Sequence, residues 1–122
     1  MSSLRTPYSA NLERLTKMSK WYRRVLFTTK HMQLVIMSLP PLEDIPEEIH
    51  KSTTQFIRVE EGDGLAVVDG KRYKLTDGIC IVIPAKAKHH ILNTSEYKTL
   101  KLYTIYSPPH HPRNTKQKTR PA

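Results

Sequence analysis

The sequence predicts an all-β single domain, a sandwich or jelly-roll barrel. Three observations carry that expectation. Eight short runs are rich in β-branched, aliphatic and aromatic residues. Turn residues stand close between them, and no helix-length crossover separates consecutive runs, which excludes a parallel α/β sheet. At 122 residues the chain has room for one core, so any site lies inside that core or on its rim.

Residues 9–24 fit an amphipathic helix, with Leu12, Leu15, Met18 and Tyr22 on one side and Arg14, Lys17, Lys20 and Arg24 on another. Residues 1–24 are therefore read as a short basic N-terminal arm or helix covering one end of a sheet. A mitochondrial targeting segment, which the basic composition also suits, ranks below it. The β-rich runs are Val25–Thr28, Gln33–Leu39, Thr54–Glu60, Leu65–Asp69, Lys71–Leu75, Ile79–Ile83, His89–Asn93 and Leu100–Tyr106. Asp69-Gly70, between two of them, reads as a tight primed hairpin turn. Pro40-Pro41 and Pro46 interrupt the pattern, after which Glu47 to His50 re-enter a strand. Residues 25–106 form the barrel. Beyond it the Pro-rich basic segment 107–122 has little to bury and is expected to be an extended or disordered tail.

The formal charge of +9 is unevenly placed. Residues 1–31 carry seven Lys/Arg and one Glu, residues 107–122 carry four Lys/Arg and no acid, and residues 32–106 carry nine against ten acids. Attraction to an acidic surface is then a property of the ends, although solvated, solubilising tails are the plainer reading. The one cysteine, Cys80, leaves no internal disulfide framework. With no apolar run near the roughly 20 residues that span a bilayer and no secretory pattern at the start, the expectation is an intracellular, cytoplasmic protein with no membrane contact.

Four polar residues recur on the β-rich frame. Glu48 and His50 are two apart, so on a strand both side chains share a face. Gln55 lies five further on and reverses that parity, so a turn or bulge after Lys51-Ser52 must re-aim it inward. His89 closes the set from a neighbouring strand, while His90 alternates outward. Two imidazoles, a carboxylate and an amide, without sulfur, suit a divalent Zn, Mn, Fe or Ni ion.

The spacings extend to glycine and proline: Glu48-x-His50, Gln55 and Gly62, then Gly78, Pro84, His89 and Asn93. They match the two signature motifs of the cupin superfamily, which the chain resembles although several residue identities differ. Over residues 22–112 it is further similar to a small single-domain bacterial cupin family described as mannose-6-phosphate isomerase-like. Segments that carry this are EEIH at 47–50, QFIRVEEGDG at 55–64, VVDGKRYKL at 67–75 and KLYTIYSPPHHP at 101–112. The resemblance implies metal ligands at Glu48, His50, Gln55 and His89. Lys51 and Lys86 stand where that family usually has proline and glycine, so a positive φ at Lys86 would be strained.

For function, the residues and the resemblance together imply a metal-binding cupin acting on a small polar ligand. A sugar or sugar-phosphate isomerase-like enzyme is the leading reading, with a dioxygenase below it. The sequence names no catalytic base. Lys86 and Lys88 supply cations at the rim that suit a phosphate. The rival is a non-catalytic barrel in a larger assembly, its basic tails contacting nucleic acid or acidic protein. Exposed strand edges and the pairing habit of cupins also imply a homodimer.

Overall fold

The computed structural model describes residues 6–121, so the first five residues of the basic arm and Ala122 lie outside the described residues. Helix α1 (Leu12–Met18) precedes β1 (Arg23–Thr28), β2 (Gln33–Leu39), β3 (Asp44–Glu48), β4 (Thr54–Glu61), β5 (Gly64–Val68), β6 (Lys71–Leu75), β7 (Cys80–Ile83), β8 (His89–Asn93), β9 (Leu100–Ser107) and β10 (Lys116–Gln117). The strands form two antiparallel sheets. One has six strands in the order β10-β1-β2-β9-β4-β7, and the other has four in the order β3-β8-β5-β6. Among the described residues, no helix is long and apolar enough to cross a membrane.

Period-two alternation decides what faces the core. In β9 every second residue from Leu100 to Tyr106 is buried, and in β4 the buried positions are Gln55, Ile57 and Val59. The two rows meet in register, Val59 opposite Leu102 and Gln55 opposite Tyr106. Val35, Met37 and Leu39 from β2 and Ile91 from β8 complete the apolar interior. Ile36 breaks the alternation, being buried on the outer face of β2, which α1 packs against.

The N-terminal arm differs from its expected form. The helix stops at Met18, because Ser19 is extended and Tyr22 is drawn into the core, where it is 1% exposed and its hydroxyl donates to the Asp44 carbonyl at 2.8 Å. The Ser38 amide then takes the Trp21 and Tyr22 carbonyls, which holds this stretch extended. Met18, expected on the buried face, is 65% exposed, whereas Thr16 is fully buried.

The C-terminal segment is extended as expected, yet it is fastened along its length. Strand β10 pairs with β1, Arg23 donates to Gln117 at 2.6 Å, and Arg120 donates to Asp44 at 2.7 Å. Its order comes from hydrogen bonds to distant partners rather than from apolar burial, which composition does not reveal.

Two turns show why particular residues stand where they do. Asp69 and Gly70 both have positive φ, 48° and 82°, the primed geometry that suits a twisted hairpin. A Cβ on Gly62, at φ +115°, would meet the Thr99 carbonyl oxygen at 2.9 Å, so only glycine fits. Asn93 pins the connection after β8. Its amide donates to the carbonyls of Leu39, Pro40 and Lys98 at 3.0, 3.1 and 2.8 Å, and its oxygen accepts from the Ser95 amide at 2.9 Å. Asn93→Ala leaves three carbonyls short of a donor and is expected to lower stability by roughly 2–4 kcal/mol. Urea unfolding measures this, and a loss well under 1 kcal/mol would show that water replaces the amide.

Candidate metal centre

An irregularity in β3 aims the first side chain. Asp44 and Ile45 pair with Leu92 and Ile91 of β8, after which Glu48 rather than Glu47 stands opposite His89. The extra residue is a β-bulge. On an unbroken strand Glu48 would point away from the side of buried Ile45; the bulge brings it round to the side of Ile91 and His89. Pro46 lies within the bulge, where its missing N–H is tolerated because β3 is the edge of its sheet. The strand expected over Glu47 to His50 is instead Asp44–Glu48, so His50 lies two residues past Glu48 beyond the end of β3, buried and with its ring nitrogen beside the Glu48 carboxylate.

Glu48, His50 and His89 offer ligand atoms that all lie within 4.8 Å of one another. The Nε2 atoms of His50 and His89 approach the same Glu48 oxygen, at 3.4 and 4.0 Å. Both nitrogens are buried and neither makes a hydrogen bond. His89 Nδ1 sits 3.0 Å from the Ala87 carbonyl, which can only accept, so Nδ1 carries the proton and Nε2 presents its lone pair to the centre. Burial alone would raise the Glu48 carboxyl, but His50 beside it draws it below its ordinary range. The centre therefore holds an ionised carboxylate and unpartnered imidazole nitrogen, a donor set that fits a divalent ion.

Gln55 reaches this neighbourhood through the expected turn at Lys51-Ser52, which is also where the chain changes sheet. The chain leaves β3 of the small sheet, bends at Lys51-Ser52 and enters β4 of the large one, so the change of sheet resets its parity. Gln55 is 1% exposed and donates from Nε2 to Thr104 Oγ1 at 3.1 Å and to the Tyr106 hydroxyl at 3.3 Å. Its Oε1 is buried with no partner. The Tyr106 ring stands edge-on to His50, 5.9 Å between centroids, so Gln55 and His50 flank one tyrosine. His90 alternates outward as expected and contacts Asp44 at 2.5 Å.

Residues 35–106 match the family model for the cupin domain. This chain belongs to the cupin family. It is 50% identical over 109 residues to an uncharacterized protein of Acanthamoeba polyphaga mimivirus, covering 86% of this chain and 68% of the viral protein. It is 39% identical over 120 residues to the uncharacterized protein YrkC of Bacillus subtilis (strain 168), covering 93% of this chain and 64% of YrkC. The cupin thus spans about two thirds of the length of these relatives. The crystal structure of BH2720 from Bacillus halodurans superposes with a TM-score of 0.90 at 39% identity, covering 93% of this chain and 90% of that one.

The mouth of this cupin includes residues that the sequence pattern assigns to the tail. Gln33, fully buried at the start of β2, accepts from the His110 and His111 amides at 3.2 and 2.9 Å and donates to the His111 carbonyl at 2.7 Å. Thr53 donates to the Pro108 carbonyl at 3.3 Å. Segment 108–111 is thereby strapped over the site, with the exposed His110 ring 4.2 Å from that of His50. Burial pushes His111 down to about 3, helped by Arg23 and His110; burial and then His50 lower His110 as well. Both rings stay neutral near pH 7 and add no charge against a bound cation. The only sequence signal is the closeness of the His pair to Tyr106, whose inward parity continues that of Leu102 and Thr104.

Lys86 adopts φ +76°, the strained conformation anticipated for a lysine in a glycine position, and its amide donates to the His50 carbonyl at 2.6 Å. A left-handed residue with a side chain costs about 1–2 kcal/mol, which this bond offsets in part. Because Gln33 is the partner of the His110 and His111 amides among the described residues, Gln33→Leu is expected to speed hydrogen exchange at those two amides at least about tenfold, with β9 amides unchanged. Unaltered protection at His110 and His111 would mean that something else fastens the strap.

Proposed function

We propose that this cupin holds a divalent transition metal on Glu48, His50 and His89, with Gln55 as a weaker fourth donor. It acts on a small polar ligand, a sugar or sugar phosphate, in an isomerase-like reaction. The observation that carries the metal reading is the approach of two buried, unpartnered imidazole nitrogens to one carboxylate oxygen. An unsatisfied buried group of this kind costs about 1–3 kcal/mol, and a cation removes the cost at both nitrogens together. The unpartnered Gln55 oxygen agrees with a donor role. Hard and borderline donors without sulfur favour Fe, Mn, Ni or Zn.

When bound, the ion supplies a Lewis acid for a carbonyl or hydroxyl oxygen of the ligand. The surrounding residues orient and move protons. The Ala87 carbonyl fixes the His89 tautomer, and the Tyr106 edge limits rotation of His50. His110, exposed at the mouth and neutral, is the proton carrier we assign: it takes the proton from the hydroxyl-bearing carbon beside the ligand carbonyl and returns it to the former carbonyl carbon, while the hydroxyl proton passes to the carbonyl oxygen, so no external oxidant is needed. Lys86, on the turn bonded to His50, attracts a ligand phosphate. This substrate class is taken from the sequence resemblance that segments within residues 22–112 suggest to mannose-6-phosphate isomerase-like cupins.

Elemental analysis of protein purified without chelator tests the reading. The native chain is expected to carry about one equivalent of a transition metal, and His50→Ala and His89→Ala at least tenfold less. His110→Ala should keep the metal while losing exchange of solvent deuterium into an aldose phosphate. Equal metal in the native chain and a His50→Ala, His89→Ala double variant would contradict the metal reading. Undiminished exchange in His110→Ala would remove only the proton assignment.

A further inference from the structure

At the end of the barrel away from the strap, the two basic ends of the chain meet. Strand β2 starts at Gln33 beneath the strap and ends at Leu39; at about 3.3 Å per residue its ends lie about 20 Å apart. Beyond the Leu39 end is a cavity of about 190 Å³, lined by Lys20 of the N-terminal arm, Lys118 of the C-terminal segment, Lys101 and Thr99 at the start of β9, Ser38 and Glu43. Among the described residues, none of the three lysines has a carboxylate within ion-pairing distance. Among the described residues that line the cavity Glu43 is the one acid against three lysines, and Glu61, opposite Lys101 on β4, is a further carboxylate beside it.

Lys101 is built into this cavity rather than waving over it. Its ammonium donates to the Ser19 carbonyl and, at 3.2 Å, to Ser38 Oγ, while Ser38 in turn donates to Ser19 at 2.7 Å. An ammonium has three N–H donors, so two are spent on holding it and one is left. Burial, opposed by Glu61 and reinforced by Lys20, pulls Lys101 below the ordinary lysine range, so an arriving anion relieves a charge that the fold keeps partly out of water. Lys20 and Lys118 line the same cavity from the N-terminal arm and the C-terminal segment. Lys118 also lies 5.9 Å over the Trp21 ring, which limits its wandering. The volume is below the roughly 300–1,000 Å³ of pockets that swallow whole small-molecule ligands, so a single compact group is what fits.

We propose that this cavity binds one phosphate group, held by Lys101, Lys20 and Lys118 and by the hydroxyls of Ser38 and Thr99. Inorganic phosphate and the phosphate of a small ester present the same chemistry to it. Its occupant ties the N-terminal arm to the C-terminal segment, remote from the metal centre and independent of whether that centre is filled.

Residue-resolved NMR titration of the full chain at constant ionic strength decides it, with inorganic phosphate, glycerol 3-phosphate and a short single-stranded RNA as separate probes and sodium chloride as reference. The expected result is saturable shifts at the Thr99, Lys101 and Lys118 amides with inorganic phosphate. A stronger response to glycerol 3-phosphate identifies the ester as the source, and an equal one identifies the bare group. Lys20→Met with Lys118→Met, both exposed positions, should weaken binding at least tenfold, Lys101→Met should do the same, and Lys74→Met on β6 should leave it within twofold. The proposal is overturned by shifts that chloride reproduces, by shifts confined to the mouth around His50, by unchanged affinity in the Lys20, Lys118 variant, or by a response to RNA alone.

Discussion

The Nε2 atoms of His50 and His89 lie buried, 3.4 and 4.0 Å from a single Glu48 oxygen, and neither has a hydrogen-bond partner. A barrel interior made of Ile57, Val59, Ile91, Leu102 and their neighbours gives such groups nothing to bond to. Several departures from regular β geometry gather around them. The bulge in β3 turns Glu48 inward, the left-handed Lys86 carries an amide that holds the His50 carbonyl, and Gln33 straps residues 108–111 across the opening. Each is costly or irregular by itself, and each serves to place or cover the same small set of donors. A polar centre inside an apolar barrel is stable only when every donor in it finds a counterpart. A cation provides that counterpart for the two imidazoles and the carboxylate together.

Much of this is readable from the order of residues, because alternation is a local rule. Alternation along β8 sends His90 outward and His89 inward, whereas His50 joins Glu48 from just beyond the end of β3. Gly62 and the Asp69-Gly70 turn are legible because positive φ and close backbone approach leave few choices of residue. What stays hidden depends on pairing. Neither the strand register that creates the bulge nor the passage of the chain from β3 in one sheet to β4 in the other, which re-aims Gln55, is written in the spacing of Glu48, His50 and Gln55. The strap is hidden for the same reason: its bonds join Gln33 to His111 across the whole domain, and a segment of prolines, histidines and lysines looks as though it has nothing to hold it. The arm departs from its helical pattern at its end, where the burial of Tyr22 outweighs continuation of the helix.

The uneven charge of the sequence acquires a different meaning once the ends are placed. The C-terminal segment starts at the metal centre, passes along the edge of β1 and finishes beside the N-terminal arm, with Arg120 on Asp44 and Lys116 stacked 4.2 Å over Trp21. Lysines distant in sequence are thus neighbours at one end of the barrel, and the nearly neutral middle of the chain is the scaffold between them. The same segment shields the centre at one end and carries positive charge at the other.

The most direct measurement is an anomalous difference map at the metal absorption edges, from crystals of the protein purified without chelator. One peak is expected, within about 2.0–2.2 Å of His50 Nε2, His89 Nε2 and a Glu48 oxygen, the range of zinc-type bonds to nitrogen and oxygen. A map with no peak there, and with both rings turned to bond water or backbone, would contradict a metal-holding centre.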